Sequence, residues 1–141
     1  ASALIPDEYL GDVHERLVFY KRISSLDDVN QLIDIRTEMI DRFGSLPSQT
    51  HYLFAVHRIR IRAKALGITK IDATQTTISI EFRADTPIDG LAIIKLIQSN
   101  DGYRMNGATA IRYTSQELMD TQARIDKVNE LLVYFESAKT A

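Results

Sequence analysis

The feature that most limits the fold is a change of hydrophobic period near Gly67. Before it, apolar residues recur at helical spacing. After it, Thr77-Ile78-Ser79-Ile80-Glu81-Phe82-Arg83 alternates polar with apolar, the period of a half-buried strand. Helical patterns that precede the strand patterns, instead of alternating with them, argue against a doubly wound parallel sheet and for an α+β arrangement with mainly antiparallel pairing.

The chain opens with an extended lead-in, residues 1–11, through Pro6. Asp12 with Glu15 then makes a capped start for a helix carrying Val13, Leu17, Tyr20 and Ile23. Ser25 with Asp28 forms a second capping pair ahead of Val29, Leu32, Ile33, Met39, Ile40 and Phe43, and Gly44 with Pro47 stops that helix. Pro47 opens a third helix, with Leu53, Val56, Ile59, Ala63 and Leu66 on one side and Phe54 with Ile61 on another. Two apolar sides predict a centrally packed helix.

Ile68 to Ala73 reads as the hairpin partner of Thr77–Arg83. Thr86-Pro87 starts a short helix bearing Leu91, Ile94 and Ile97, broken at Asn100-Asp101-Gly102. Tyr103 to Asn106 and Thr109 to Tyr113 flank Asn106-Gly107, a dipeptide suited to a tight hairpin turn. Thr114 with Glu117 caps a long last helix carrying Leu118, Ile125, Val128, Leu132 and Phe135, and residues 137–141 form a flexible tail. The expected fold is therefore three N-terminal helices, two β-hairpins separated by a helix, and a long C-terminal helix. A chain of 141 residues fits one domain.

Zero cysteines exclude disulfides, thiolate metal sites and a cysteine nucleophile. No apolar run approaches the roughly 20 residues that cross a bilayer, and no basic-then-apolar leader is present, so an intracellular protein without a membrane partner is expected. A net charge of −2 gives no global attraction to nucleic acid. The chain begins at Ala1 and not at methionine, and is expected to be a piece of a longer protein.

The second helix carries the clearest surface signal. At about 100° per residue, Asp27, Asp34, Glu38 and Asp41 project within about 60° of one another, opposite the apolar arc and with no lysine or arginine in that narrow strip. Like charges at these spacings destabilise a helix by a few tenths of a kcal/mol per pair. The strip reads either as a solvated face or as a docking surface for arginines on a partner. Arg36 projects inside the apolar arc, where a half-buried arginine calls for a carboxylate partner that the sequence does not name.

The third helix, 48–66, presents His57, Arg58, Arg60, Arg62 and Lys64, followed by Lys70. Arg58 and Arg62 are its candidate nucleic-acid contacts. The basic residues spread around the circumference without interleaved aromatics, which equally suits snorkelling around a packed helix. Catalytic and metal signals are weak. His51 and His57 are six apart, off the i, i+4 spacing of a helical metal pair, and His14 stands alone. Gly44-Ser45-Leu46-Pro47-Ser48 lacks the Gly-Lys-Ser ending of a phosphate loop. Asp12 with His14, and Glu38 with Asp41, sit where caps and exposed faces place such residues anyway. Phe19, Tyr20, Phe43, Phe54 and Phe82 fall at core periodicities; Tyr113 and Tyr134 are unassigned.

Ile5-Pro6-Asp7, Arg16-Leu17-Val18-Phe19-Tyr20-Lys21-Arg22-Ile23, Glu38-Met39-Ile40-Asp41-Arg42-Phe43-Gly44 and Leu46-Pro47, in that order and spacing, resemble the C-terminal domain of bacterial transcription-repair coupling factors. The likeness continues through Arg60, Ala65-Leu66-Gly67-Ile68 and Glu81-Phe82, loosens beyond Ser99, and departs at Gly11 and Thr74-Gln75. It implies a cytoplasmic bacterial protein whose complete form translocates on double-stranded DNA with ATP and magnesium in its motor domains, displaces stalled RNA polymerase and recruits UvrA for excision repair. It further implies that this domain holds no cofactor and no enzymatic activity. By the same resemblance the domain folds back on the N-terminal module that recruits UvrA, with Glu38 and Asp41 in the contact. Asp34 and Asp27 extend that face by geometry alone.

Overall fold

A computed structural model describes residues 4–140. Residues 1–3 of the expected lead-in and residue 141 of the expected tail lie outside the described residues. Five helices, α1 (Val13–Ser24), α2 (Val29–Phe43), α3 (Ser48–Ala65), α4 (Gly90–Ser99) and α5 (Thr121–Ser137), accompany four strands, β1 (Ile68–Ala73), β2 (Thr77–Phe82), β3 (Tyr103–Met105) and β4 (Ala110–Thr114). The class is α+β, as the change of period requires. The chain divides into two compact units, 1–61 and 62–141, with α3 running through the boundary.

In the first unit Ile5, Leu10, Phe19, Ile23, Leu32, Ile35, Met39, Leu53, Phe54 and Ile61 form one buried cluster. The lead-in contributes to it by a turn at Pro6, whose carbonyl accepts from the amides of Tyr9 and Leu10, where an extended course was expected. That turn brings Tyr9 across Phe43 at 5.9 Å, and the Tyr9 hydroxyl donates to the Gly44 carbonyl at 2.7 Å, capping the end of α2. The Ile5 amide donates to the Tyr20 hydroxyl, and the buried Thr50 hydroxyl donates to the Leu4 carbonyl. Phe19 and Ile23 are buried as expected, but apolar spacing misplaces part of α1 and α3: Val13, Leu17 and Val56 face solvent.

In the second unit the two hairpins join edge to edge into one antiparallel sheet of order β1-β2-β4-β3. Ile78, Ile80 and Phe82 point inward as the alternation predicts, and Phe82 meets Phe135 of α5 edge to face at 5.4 Å. Gly67, at φ +70°, turns the chain from helix into sheet where an added Cβ would lie 2.9 Å from the Thr86 Cα. The β3–β4 connection is longer than the tight turn expected, because only Gly107 takes a positive φ; the Asn106 amide instead closes a wider loop onto the Ala110 carbonyl.

Three helix starts lie a few residues beyond the expected ones: α2 begins at the second member of the Ser25/Asp28 pair, and α4 and α5 begin at aspartates beyond Thr86-Pro87 and the Thr114/Glu117 pair. Asp28 caps α2, Asp89 caps α4 and Asp120 caps α5, each accepting amide hydrogens of the first turn. Ser25 instead ends α1, and Thr114 completes β4. On α4 the buried residue is Leu96, while Leu91 and Ile94 are exposed. The expected tail is tied down through residue 140: Lys139 bridges Ile88, and the Thr140 amide donates to the Pro87 carbonyl. Among the described residues no helix is long and apolar enough to cross a membrane.

Candidate functional site: the charged face of helices α1 and α2

α1 and α2 are each fixed at their starts by an aspartate, Asp12 accepting from His14 and Glu15 amides and Asp28 from the Asn30 amide. Each then buries one side in the first unit, which turns Arg22 of α1 towards Glu38 of α2. Arg22 grips that carboxylate with both ends of its guanidinium, Nη1 to Oε2 at 2.9 Å and Nη2 to Oε1 at 2.8 Å, the fork geometry that makes such pairs strong and directional. Arg42, one turn along α2, adds Nη1 to Oε2 at 3.3 Å and reaches back to Glu15 of α1 at 2.7 Å. The result is a chain of alternating charge, Glu15–Arg42–Glu38–Arg22.

The network lies over aromatic rings. The Arg22 guanidinium sits 5.1 Å from the centre of Phe19, and that of Arg42 sits 4.8 Å from Phe43, within cation–π range. The hydrogen bonds from Arg22 hold the Glu38 carboxyl below its ordinary value, against a partial desolvation that pushes it up; Arg42 adds to the depression. The same bond raises Arg22, and the bond to Glu15 raises Arg42.

The four-carboxylate strip is corrected on two counts. Glu38 is already paired, because Arg42 stands about 40° from it around α2, just beyond the strip yet within reach. Asp27 precedes the helix and is not on its face. Asp34 and Asp41 are exposed and make no hydrogen bond or ion pair with any described residue. They flank the network, so the face presents two unpaired carboxylates around a neutralised centre. Arg36 is corrected too. It is exposed, not inserted among the apolar residues of α2, and lines a shallow cleft with Ile40, Leu46, His51 and Tyr52. Leu32, Ile35 and Met39 alone define the buried stripe, and Arg36 lies at its margin.

Of the basic residues on α3, Arg62 is committed within the second unit. Its side chain, 13% exposed, forks onto Glu136 at 3.1 and 2.8 Å and donates to Asn129 at 2.8 Å. Arg60 donates to the Ser24 carbonyl at the end of α1, satisfying a helix-terminal acceptor. Arg58 is exposed without a bonded partner among the described residues. Two tyrosines left unassigned by sequence pack: Tyr113 lies 4.6 Å from Tyr103 with Lys127 over both rings, and the Tyr134 hydroxyl donates to the Ala92 carbonyl.

The histidines do not converge. Among the described residues no group of three or more histidines, aspartates or glutamates could hold a metal ion. His14 and His51 are exposed; His57 is half-buried, its Nδ1 shielded without a partner, and burial together with the Arg60 charge lowers its pKa.

Comparison with known proteins adds to this geometry. The family model of the TRCF domain matches residues 1–93. The chain is 36% identical over 131 residues to the transcription-repair-coupling factor of Escherichia coli (strain K12), and 37% identical over 131 residues to that of Haemophilus influenzae. Each alignment covers 92% of this chain and 11% of the relative, so the chain spans about a tenth of those proteins. A crystal structure of the C-terminal domain of transcription-repair coupling factor superposes with a TM-score of 0.78 at 21% identity, covering 98% of this chain and 87% of that one, a likeness of fold.

Proposed function

This chain belongs to the TRCF domain family, and we propose that it is a regulatory interaction domain of a transcription-repair coupling factor, without catalysis of its own. In this reading the α1–α2 face docks on the parent's N-terminal module and covers the surface that recruits UvrA. Translocation on DNA and displacement of RNA polymerase belong to other parts of that parent.

The observation that supports the reading is the pair Asp34 and Asp41, exposed and unpaired on either side of Glu38. Carboxylates left unpaired next to a charge network that satisfies itself are placed to receive arginines from outside. Glu38 then positions Arg22 and Arg42 and sets the shape of the face, while Asp41, within the motif that carries the family resemblance, makes the contact.

Calorimetry of this chain with the separately expressed N-terminal module, at low and at physiological salt, tests the proposal. Salt-sensitive binding is expected, lost in Asp34→Ala/Asp41→Ala with the fold intact and weakened in Glu38→Ala/Asp41→Ala. Binding that is indifferent to both double variants would overturn the assignment of the face, and absence of binding to the module at low salt would overturn the masking role.

A further inference from the structure

The outer face of the sheet in the second unit has a charge arrangement that folding alone does not explain. The strand registers place Asp72, Ser79, Arg112 and Arg104 in one row across all four strands, with Asp72 opposite Ser79, Ser79 opposite Arg112 and Arg112 opposite Arg104. Their neighbours of the other parity, Ile78, Ile80, Ile111 and Tyr103, are buried, so this row faces solvent.

The two halves of the face differ. On β1 and β2, Lys70 stands opposite Glu81 but its ammonium lies 3.3 Å from Asp72, so Asp72 is paired while the Glu81 carboxylate makes no ion pair with any described residue. On β4 and β3, Arg112 and Arg104 are direct cross-strand partners, both exposed, and neither makes a hydrogen bond or ion pair with any described residue. Like charges directly opposite destabilise a sheet, whereas opposite charges support it. Between the halves, Ser79 and Ala110 floor a shallow depression that Lys70, Asp72, Glu81 and Arg112 also line. One side of this depression carries the uncompensated Arg112 guanidinium, with Arg104 next to it across the strand pair, and the other carries an excess carboxylate.

We propose that this face binds a segment of a protein partner that carries carboxylates over Arg104 and Arg112 and a basic residue over Asp72 and Glu81. Two adjacent guanidinium forks bracket aspartate or glutamate side chains with charge-assisted bonds, and such an anion removes the repulsion between them. The carboxylates on β1 and β2 select against a polyanion running across the sheet, and no aromatic residue on the face offers a base a stacking surface. Nucleic acid is therefore disfavoured, and a segment of mixed charge, acidic then basic, matches the surface. The inference stands apart from the docking proposed for α2, since it concerns different residues and a different ligand charge.

Two measurements decide it. In the first, a short peptide with glutamates at one end and lysines at the other is titrated into the isotope-labelled chain at low salt. Amide shifts are expected at Ser79, Arg104 and Arg112, with affinity at least roughly tenfold weaker for Arg104→Gln/Arg112→Gln, the loss of a charge-assisted pair. No shifts at these residues, equal affinity in the double variant, or displacement of the peptide by duplex DNA would each overturn the proposal. In the second, Arg104→Thr alone is expected to raise Tm by about 1–4 °C by relieving a like-charge pair. A fall in Tm would show that the guanidinium is a structural element and would also overturn it.

Discussion

The coupling between Arg22 and Glu38 can be predicted from its geometry. The pair has fork geometry at 2.8 and 2.9 Å, yet its side chains are 41% and 36% exposed, which places it among surface ion pairs and far from buried ones. Exposed pairs contribute about 0.2–1 kcal/mol. The bidentate contact and the Phe19 ring beneath Arg22 argue for the upper part of that range. A double-mutant cycle of Arg22→Gln, Glu38→Gln and the combined variant, followed by urea unfolding at neutral pH, should therefore return a coupling of about 0.5–1 kcal/mol that shrinks in high salt. Acid adds a second signature. The Glu38 carboxyl is held below its unfolded value, so its contribution is complete above about pH 4.3 and fades as pH falls through the folded value. The stability gap between wild type and Glu38→Gln should close on acidification. A coupling near zero, or a gap that widens in acid, would refute the reasoning; Asp41→Asn, which breaks no bond, should change stability by no more than about 0.5 kcal/mol.

Other perturbations read out the packing directly. Phe135 is fully buried against Phe82, so Phe135→Ala should lose about 3–5 kcal/mol in denaturant unfolding. Gly67→Ala puts a Cβ at a left-handed φ and 2.9 Å from backbone, and a loss of about 1–3 kcal/mol is expected in the same assay. Burial and the Arg60 charge depress the His57 pKa, so the folded state binds less proton than the unfolded one. Stability should rise with pH up to the unfolded value of about 6.5 and then level off, and thermal melts of His57→Gln should show that slope removed.

What could be read from the sequence was local. The period of two at Thr77–Arg83 gave a strand with Ile78, Ile80 and Phe82 inward, because a strand's faces follow from parity. Helix faces were less legible where the pattern was not selective. α4 is apolar nearly all round, so spacing could not show that Leu96 is buried while Leu91 and Ile94 are exposed. Its start, and that of α5, lay close to both a threonine and an aspartate, and the aspartates sit directly before the first turn where a carboxylate reaches free amides. The pairing of β2 with β4, which merges the hairpins, joins residues separated by a whole helix and leaves no local mark.

The candidate site divides along the same line. Arg42 stands four residues from Glu38, so that contact was open to helix geometry, whereas Arg22 belongs to another helix and meets Glu38 only through packing. On the proposed docking, this changes which acidic residue makes the contact. An incoming arginine at Glu38 must displace a fork already in place and leave Arg22 without its partner, so much of the new bond is offset by the old one. At Asp41 it meets a solvated carboxylate and displaces water alone. The two residues of the motif therefore have separable roles: on the proposed docking, Asp41→Asn weakens binding without touching stability, while Glu38→Gln acts mainly by releasing Arg22 and Arg42. Arg22→Gln distinguishes the roles, since it frees Glu38 and should strengthen binding if that carboxylate competes for the partner, and weaken it if the intact network is what shapes the face.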